Sequence, residues 1–396
     1  MTNKISVKQN KIVHIVPSVP PAIDGLSEYC HALWKHWPQP VPEWWCLAAN
    51  VPDQAQTVWP QVEIMRFELN GPSLIETLET SGARAVVLHY VGYAYQPKGV
   101  PFWLPKALRV WKHRHKEEAH LTVMFHELYA KGSWRQTSFW LLPIAKRIMM
   151  DLAELADQWV TSCPDYVEKL AVETNTSAKG TLIPVGSNIK SIEPITRQFW
   201  DGHPKKLKLV FFGMPGTRLW SLQAHENLIA RMCQQQMVKQ ITLLGKHDPS
   251  SRFFIEMKEL QRKIGFETLW NEVYDLSTER ISEVLSNHDI GFVANSPGII
   301  SKSLVYAALC AHSVIPVAST KTGEREWPNY PCVVNDDTRP EVSIRFLEDF
   351  KAVQEMQSRV QVASRTILNW ESIAVQWTRV LRLAENTAFA PVEPAN

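Results

Sequence analysis

Two groups of residues have types and spacing that could do chemistry. In the first, His126 and Glu127 close the strand-like run Leu121 to His126, and His89 and Tyr90 close the run Ala85 to Val91, with Tyr93 and Tyr95 just beyond. In open α/β sheets ligands are handled at the carboxyl ends of strands. An imidazole there suits steadying a bound group, and the carboxylate beside it suits work on an acceptor hydroxyl. The plainer alternatives are a capped or core histidine and a solvated glutamate. His89, Tyr90, Tyr93 and Tyr95 suit one wall of an acceptor site, with rings stacked on sugar faces, or a packed loop.

The second group would bind an anion. Ser301-Lys302-Ser303 opens a helical stretch after the run Asp289 to Ala294, so backbone N–H groups, the helix dipole and one ammonium converge there without need of a metal. Arg218 and Lys246 follow the first two strand-like runs of the second half and would complete a clamp on a diphosphate. Asp24 and Gly25 open the first helix. The glycine permits close approach of a phosphate or acceptor, while Asp24 is an acceptor contact or only an N-cap.

Other chemistries are excluded. The sequence has no GxxxxGK[ST], no GxGxxG after the first strand, no Asp-x-Asp and no HExxH, which removes the Walker loop, the usual dinucleotide fingerprint and two common metal motifs. Asp336-Asp337 reads as a turn or helix cap rather than a metal site. With 42 Lys+Arg against 40 Asp+Glu in 396 residues, nothing favours a nucleic-acid partner. The six cysteines lack zinc spacing, which reads as structural thiols in a reducing compartment. The polar start lacks the apolar core of a signal peptide, and no run approaches the ~20 residues of a spanning helix. A cytoplasmic protein is expected, with the basic stretch Lys106 to Lys116 either touching the inner face of a membrane or forming a solvated face. The 16 tryptophans read as core packing before sugar platforms.

These groups require strands alternating with helices. Strands are expected at Lys11–Val16, Glu43–Ala48, Val62–Arg66, Ala85–Val91, Leu121–His126, Gln158–Ser162 and Thr181–Pro184. A second series is expected at Leu207–Gly213, Gln240–Gly245, Glu272–Leu276, Asp289–Ala294, Val314–Ala318 and Cys332–Asn335. The fold class is therefore α/β, with two Rossmann-like doubly wound domains facing a cleft. The expected domains are 1–195, 196–368 and a C-terminal segment 369–396 whose helix crosses back to the first domain.

The opening Lys11-Ile-Val-His-Ile-Val-Pro-Ser-Val-Pro-Pro-Ala-Ile-Asp24-Gly25 resembles the start of family-four glycosyltransferases of the GT-B fold. The resemblance continues in His89-Tyr-Val-Gly-Tyr93, Val123-Met-Phe-His126-Glu127, Pro184-Val-Gly-Ser187-Asn188, Phe211-Phe-Gly213, Leu243-Leu-Gly-Lys246 and Asn369-Trp370-Glu371. It implies a retaining, metal-independent, hexosyltransferase-like enzyme. No cofactor is implied: a nucleotide diphosphate sugar is the donor substrate, and a sugar, a lipid-linked glycan or a small hydroxylated molecule is the acceptor. By the same resemblance His126 contacts the donor sugar and helps catalysis, while Gly213 and Gly298 lie in the donor-binding turns.

The sequence departs from that family at two places. Ile299 and Ala307 stand where the family carries paired glutamates, and Gly213-Met214…Arg218 replaces its Gly-Arg…Lys. A noncatalytic nucleotide-sugar-binding partner subunit and a nucleotide-sugar epimerase therefore stay open beside the transferase.

Overall fold

Short apolar runs with few polar interruptions become strands covered on both faces, as parallel sheets require. The computed structural model describes residues 11–22, 25–129, 137–191, 206–320 and 326–381. Of these, the residues up to Thr161, with Tyr166–Ile183 and those from Ala374 onward, make one compact unit; Ser162–Asp165 and Pro184–Ile373 make a second. The expected boundary at 195/196 falls outside the described residues. The two units part earlier, between Ile183 and Pro184, and again between Ile373 and Ala374.

The first unit's sheet consists of β1 (Lys11–Ser18), β2 (Glu43–Asn50), β3 (Glu63–Arg66), β4 (Ala85–Tyr90), β5 (His120–Phe125), β6 (Gln158–Thr161) and β7 (Gly180–Leu182). All pairs are parallel, in the order β3-β2-β1-β4-β5-β6-β7. The helices are α1 (Gly25–Lys35), α2 (Ala55–Val58), α3 (Gly71–Ser81), α4 (Gly92–Tyr95), α5 (Trp103–His115), α6 (Thr137–Leu155) and α7 (Pro164–Thr174). Helix α3 shows why the ends fall where they do. The Asn70 side chain accepts from Ser73 N, Pro72 occupies the first turn, and Gly82 closes the helix in the left-handed region at φ 64°, as cap chemistry predicts.

The second unit repeats the plan with β8 (Leu207–Gly213), β9 (Val238–Gly245), β10 (Trp270–Tyr274), β11 (Ile290–Val293), β12 (Ile315–Thr320) and β13 (Val333–Asp336), ordered β10-β9-β8-β11-β12-β13. Its helices are α8 (Pro215–Ala224), α9 (Glu226–Gln234), α10 (Arg252–Ile264), α11 (Thr278–Ser286), α12 (Leu304–Ala311), α13 (Pro340–Glu348) and α14 (Phe350–Thr366); α15 (Trp370–Val380) ends the described chain. Both sheets have the doubly wound order whose topological switch point is a ligand position, here β1/β4 and β8/β11.

All six residues of β4 are buried. On one face of the first sheet Val13, Ile15, Leu88, Val123 and Phe125 meet Leu74 and Leu78 of α3, Leu104, Leu108 and Trp111 of α5, and Met149 and Leu152 of α6. Tryptophan serves packing: Trp44, Trp59, Trp111, Trp159 and Trp377 are among the largest fully buried side chains. The Trp159 ring fills the space beside Gly180, where a Cβ would lie 2.1 Å from it.

The basic stretch on α5 has partners within its own unit. Lys112 Nζ lies 2.7 Å from Asp157 Oδ1, and Arg114 and His115 both reach Glu79, at 3.3 and 2.8 Å. That is a salt-bridged protein face. Among the described residues no helix is long and apolar enough to cross a membrane. Asp336 and Asp337 cap: Asp337 accepts from Asn227 N and Leu228 N, and Asp336 from Thr338 N.

Candidate active site

The first unit presents its chemistry at the β1/β4 switch point. His14 on β1 pairs with Val87; two residues on, on the same face of β4, is His89, which pairs with Met124 of β5. Two residues beyond Met124 comes His126. Because side chains alternate with period two, the three imidazoles line up obliquely across three neighbouring strands. His14 Nδ1 and His89 Nε2 are 3.0 Å apart, as are His89 Nδ1 and His126 Nε2. His14 stacks on Trp44 at 4.1 Å, and Tyr29 sets its ring edge-on to His126 at 5.1 Å. The Trp377 indole N–H donates to the Tyr29 hydroxyl at 2.7 Å.

Of this chain only His126 reaches solvent, at the carboxyl end of β5; His14 and His89 are fully buried. Glu127 beside it is exposed. His89 therefore belongs to the interior rather than to an acceptor wall. Tyr90 is also fully buried, against Phe125 at 5.7 Å, and Tyr95 is buried with its hydroxyl bonded to the carbonyls of His89 and Ile15. Strand alternation sets Tyr90 on the face opposite His89, and Tyr95, on α4, packs into the same core. Tyr93 is 44% exposed, its ring lying over Gly99, and stays on the rim. Gly25 opens α1 in open space. Asp24 lies outside the described residues.

Burial sets the charges of this cluster. Loss of hydration pushes His14 down to about 3 and His89 well below the ordinary histidine value. In the second unit His225 is pushed down to about 4; its ring bonds the Val293 carbonyl and the Asn335 amide. These three stay neutral in the folded chain while their unfolded counterparts take a proton near pH 6.5. Below that pH the unfolded state binds more protons, so stability is complete above about 6.5 and falls as pH drops toward the folded values, by about 1.4 kcal/mol per pH unit for each histidine. Urea midpoints should decline from pH 7.5 to 5.5. Equal midpoints would show that the buried histidines are not neutral.

Among the described residues one set of metal-type donors gathers within 4.8 Å: His14, Cys30 and His89. Two of its nitrogens face one another at hydrogen-bond distance with ring centroids 5.3 Å apart, which is the geometry of an N–H···N bond. The residues do not fit a metal centre.

In the second unit several strand-end residues have partners within the protein. Arg218 on α8 is fully buried. Its terminal nitrogens donate to the carbonyls of Gly213 at 2.7 Å, Leu244 at 3.4 Å and Lys246 at 2.8 Å, and its guanidinium lies over Tyr274. It ties the ends of β8 and β9 together instead of offering its fork to a phosphate. The turn needs glycine twice, with φ 123° at Gly213 and 144° at Gly245; a Cβ on Gly245 would come within 2.1 Å of Gly213 O.

The Ser301-Lys302-Ser303 segment is also redistributed. A 3-10 stretch, Pro297–Lys302, precedes α12. Ser301 is buried and donates to Ser162 O at 2.6 Å. Gly298 makes room for Asp165, whose carboxylate oxygen would lie 1.8 Å from an added Cβ. Ser303 is the N-cap, accepting from Tyr306 N at 3.2 Å. The Leu304 and Val305 amides stand at the first two positions of α12, where a helix offers no intrahelical acceptor. The helix start adjoins the Gly213 turn, because Val305 Cγ2 lies 3.3 Å from the place of a Gly213 Cβ. Lys302 is half-buried and Lys246 exposed.

Two separated sequence fragments meet in this unit. The Trp370 indole packs over Gly186 and donates to Ser187 O at 3.0 Å. The sequence alone does not place His14, Tyr29 and Trp377 in the cluster that ends at His126. A lone histidine inside the apolar run of β1 was the one available signal.

No protein-family model and no curated protein matches the chain. Solved structures do. Sucrose-phosphate synthase from Thermosynechococcus elongatus superposes with a TM-score of 0.64 at 15% identity, over 94% of this chain and 98% of that one. HepE of Anabaena, solved in complex with UDP-glucose, gives 0.61 at 13% identity, over 94% and 100%. WaaG, a glycosyltransferase involved in lipopolysaccharide biosynthesis, gives 0.59 at 9% identity, over 93% and 99%. The chain has the GT-B architecture, two Rossmann-like units, of these glycosyltransferases.

Proposed function

We propose that the protein is a glycosyltransferase that moves a sugar from a nucleotide diphosphate sugar to a glycan, a lipid-linked glycan or a small hydroxylated acceptor. The observation that carries this reading is the near-full-length likeness of the chain to a sucrose-phosphate synthase, a glycosyltransferase involved in lipopolysaccharide biosynthesis and a protein solved with UDP-glucose, joined to a polar strand end in each unit. The second unit holds the donor: Lys246, Lys302 and the first amides of α12 stabilise the departing diphosphate, where charge develops in the transition state. His126 steadies the sugar, Gly25 lets the donor come close to the start of α1, and Glu127 and Tyr93 serve the acceptor.

In a retaining reaction the bond from the anomeric carbon to the phosphate oxygen breaks as the acceptor oxygen attacks from the same face. The acceptor proton passes to the departing phosphate oxygen, so no strong protein base is required. Cations and amides carry the negative charge, and the reaction is metal-independent.

Calorimetry with UDP, GDP and TDP tests the donor half. Binding of one of them should persist in excess chelator, and Lys246→Ala with Lys302→Ala should weaken it by about 1.5–3 kcal/mol per cation, the range for hydrogen bonds to charged groups. Loss of binding on chelation, or unchanged affinity in the double variant, would contradict this assignment. Helix α12, Leu-Val-Tyr-Ala-Ala-Leu-Cys-Ala, has no carboxylate, which favours a binding subunit as the second reading. Its signature would be donor binding without transfer.

A further inference from the structure

The histidine row has a closed end and an open end, and the closed end determines the rest. At the closed end His14 Nε2 is buried and has no hydrogen-bond partner. A neutral imidazole carries one N–H and one lone pair, and a buried N–H without an acceptor is rarer than an unsatisfied acceptor. The proton of His14 therefore sits on Nδ1, the atom 3.0 Å from His89 Nε2. His89 must accept at Nε2, so its own proton is on Nδ1, 3.0 Å from His126 Nε2. The rings are tilted by only 28° and 26°, with centroids 5.3 Å apart at both steps, so each pair of nitrogens meets nearly in plane.

We propose that His14 and His89 are positioning residues that fix His126 as the tautomer with its proton on Nδ1 and its Nε2 accepting from His89. His126 then acts at the strand end as a hydrogen-bond donor and not as a base, which agrees with a transfer in which the leaving group takes the acceptor proton. Among the described residues, groups that face the row are Tyr29 and Cys30 of α1, Trp44 and Cys46 of β2, and Trp377 of α15, none of them a carboxylate or an ammonium. Burial and the neighbouring Cys30 raise the Tyr29 hydroxyl, against its bond from Trp377, and it remains neutral. Polarity along the row follows from its two hydrogen bonds and its closed end, as second-sphere partners set the tautomer of other functional histidines.

The tautomer is independent of whether the protein transfers sugar; its effect on turnover rests on the reading of His126 given above. Nitrogen NMR of the full chain with labelled histidine, without any substrate, tests the first. His126 is identified by the signals lost in His126→Gln. In the unaltered protein at pH 8, His126 Nδ1 should show the N–H-bearing shift and Nε2 the lone-pair shift. In folded His14→Phe, which keeps a ring against Trp44 but cannot donate, His126 should become a mixture of both tautomers, while His14→Asn, which keeps an N–H near the Nδ1 position, should restore the single form. Where donor turnover is measurable, His14→Phe should lower kcat and leave KM nearly unchanged, and His14→Asn should recover it. A proton on His126 Nε2 in the unaltered protein overturns the proposal without touching the transferase reading. Identical His126 signals in folded His14→Phe do the same.

Discussion

Replacing His126 by glutamine should lower turnover by roughly tenfold or more while leaving the melting temperature almost unchanged, the pattern of an interaction realised in the transition state. Glutamine is the informative substitution. His89 Nδ1 sits 3.0 Å from His126 Nε2, and alanine would leave that buried group unpaired at a cost of about 1–3 kcal/mol. A side-chain amide can still meet His89, so the fold is kept and the sugar-facing imidazole is lost. Glu127→Gln should be milder, because that carboxylate is exposed. Full turnover in folded His126→Gln would reduce His126 to the visible end of a core cluster.

The largest stability effect is expected at Arg218. Removing its guanidinium in Arg218→Met leaves the carbonyls of Gly213 and Lys246 without their 2.7 and 2.8 Å donors and should destabilise the second unit by about 3 kcal/mol or more. Arg218→Lys should recover little, since one ammonium cannot span carbonyls on two strand ends as a planar fork does. Gly245→Ala should be damaging for a related reason: the new methyl would be 2.5 Å from Arg218 Nη1 at a φ of 144°. Denaturant titration checks all three. An Arg218→Met protein as stable as the parent but unable to bind nucleoside diphosphate would return Arg218 to the phosphate clamp.

These residues also show what the sequence could reveal. All the expected strands form, because each is a short apolar run bounded by a turn. Their ends move where local backbone geometry intervenes: the strand expected at Glu272–Leu276 runs Trp270–Tyr274, since Asp275 adopts φ 51° and leaves the ladder. Between α13 and α14 the chain breaks at Asp349, whose side chain accepts from Ala352 N and caps α14.

His126 was legible because it ends a strand. His14 was not, because its register against Val87 and the step from there to His89 exist only once three strands that are distant in sequence have paired. Arg218 followed a strand and so read as a phosphate ligand. That it reaches carbonyls contributed by β8 and the end of β9 is a property of the assembled turn. Ser301 and Gly298 read as an anion cradle, yet their partners, Ser162 and Asp165, lie more than a hundred residues away in sequence.

The central claim is tested most directly by incubating the purified protein with a panel of UDP-, GDP- and TDP-sugars, with and without glycan, lipid-linked and small hydroxylated acceptors, and following release of the nucleoside diphosphate together with the fate of the sugar. One donor should give acceptor-dependent release in excess chelator, with the sugar recovered on the acceptor in its original anomeric configuration. Donor binding with no transfer to any acceptor, or release accompanied by an epimerised sugar, would contradict the account.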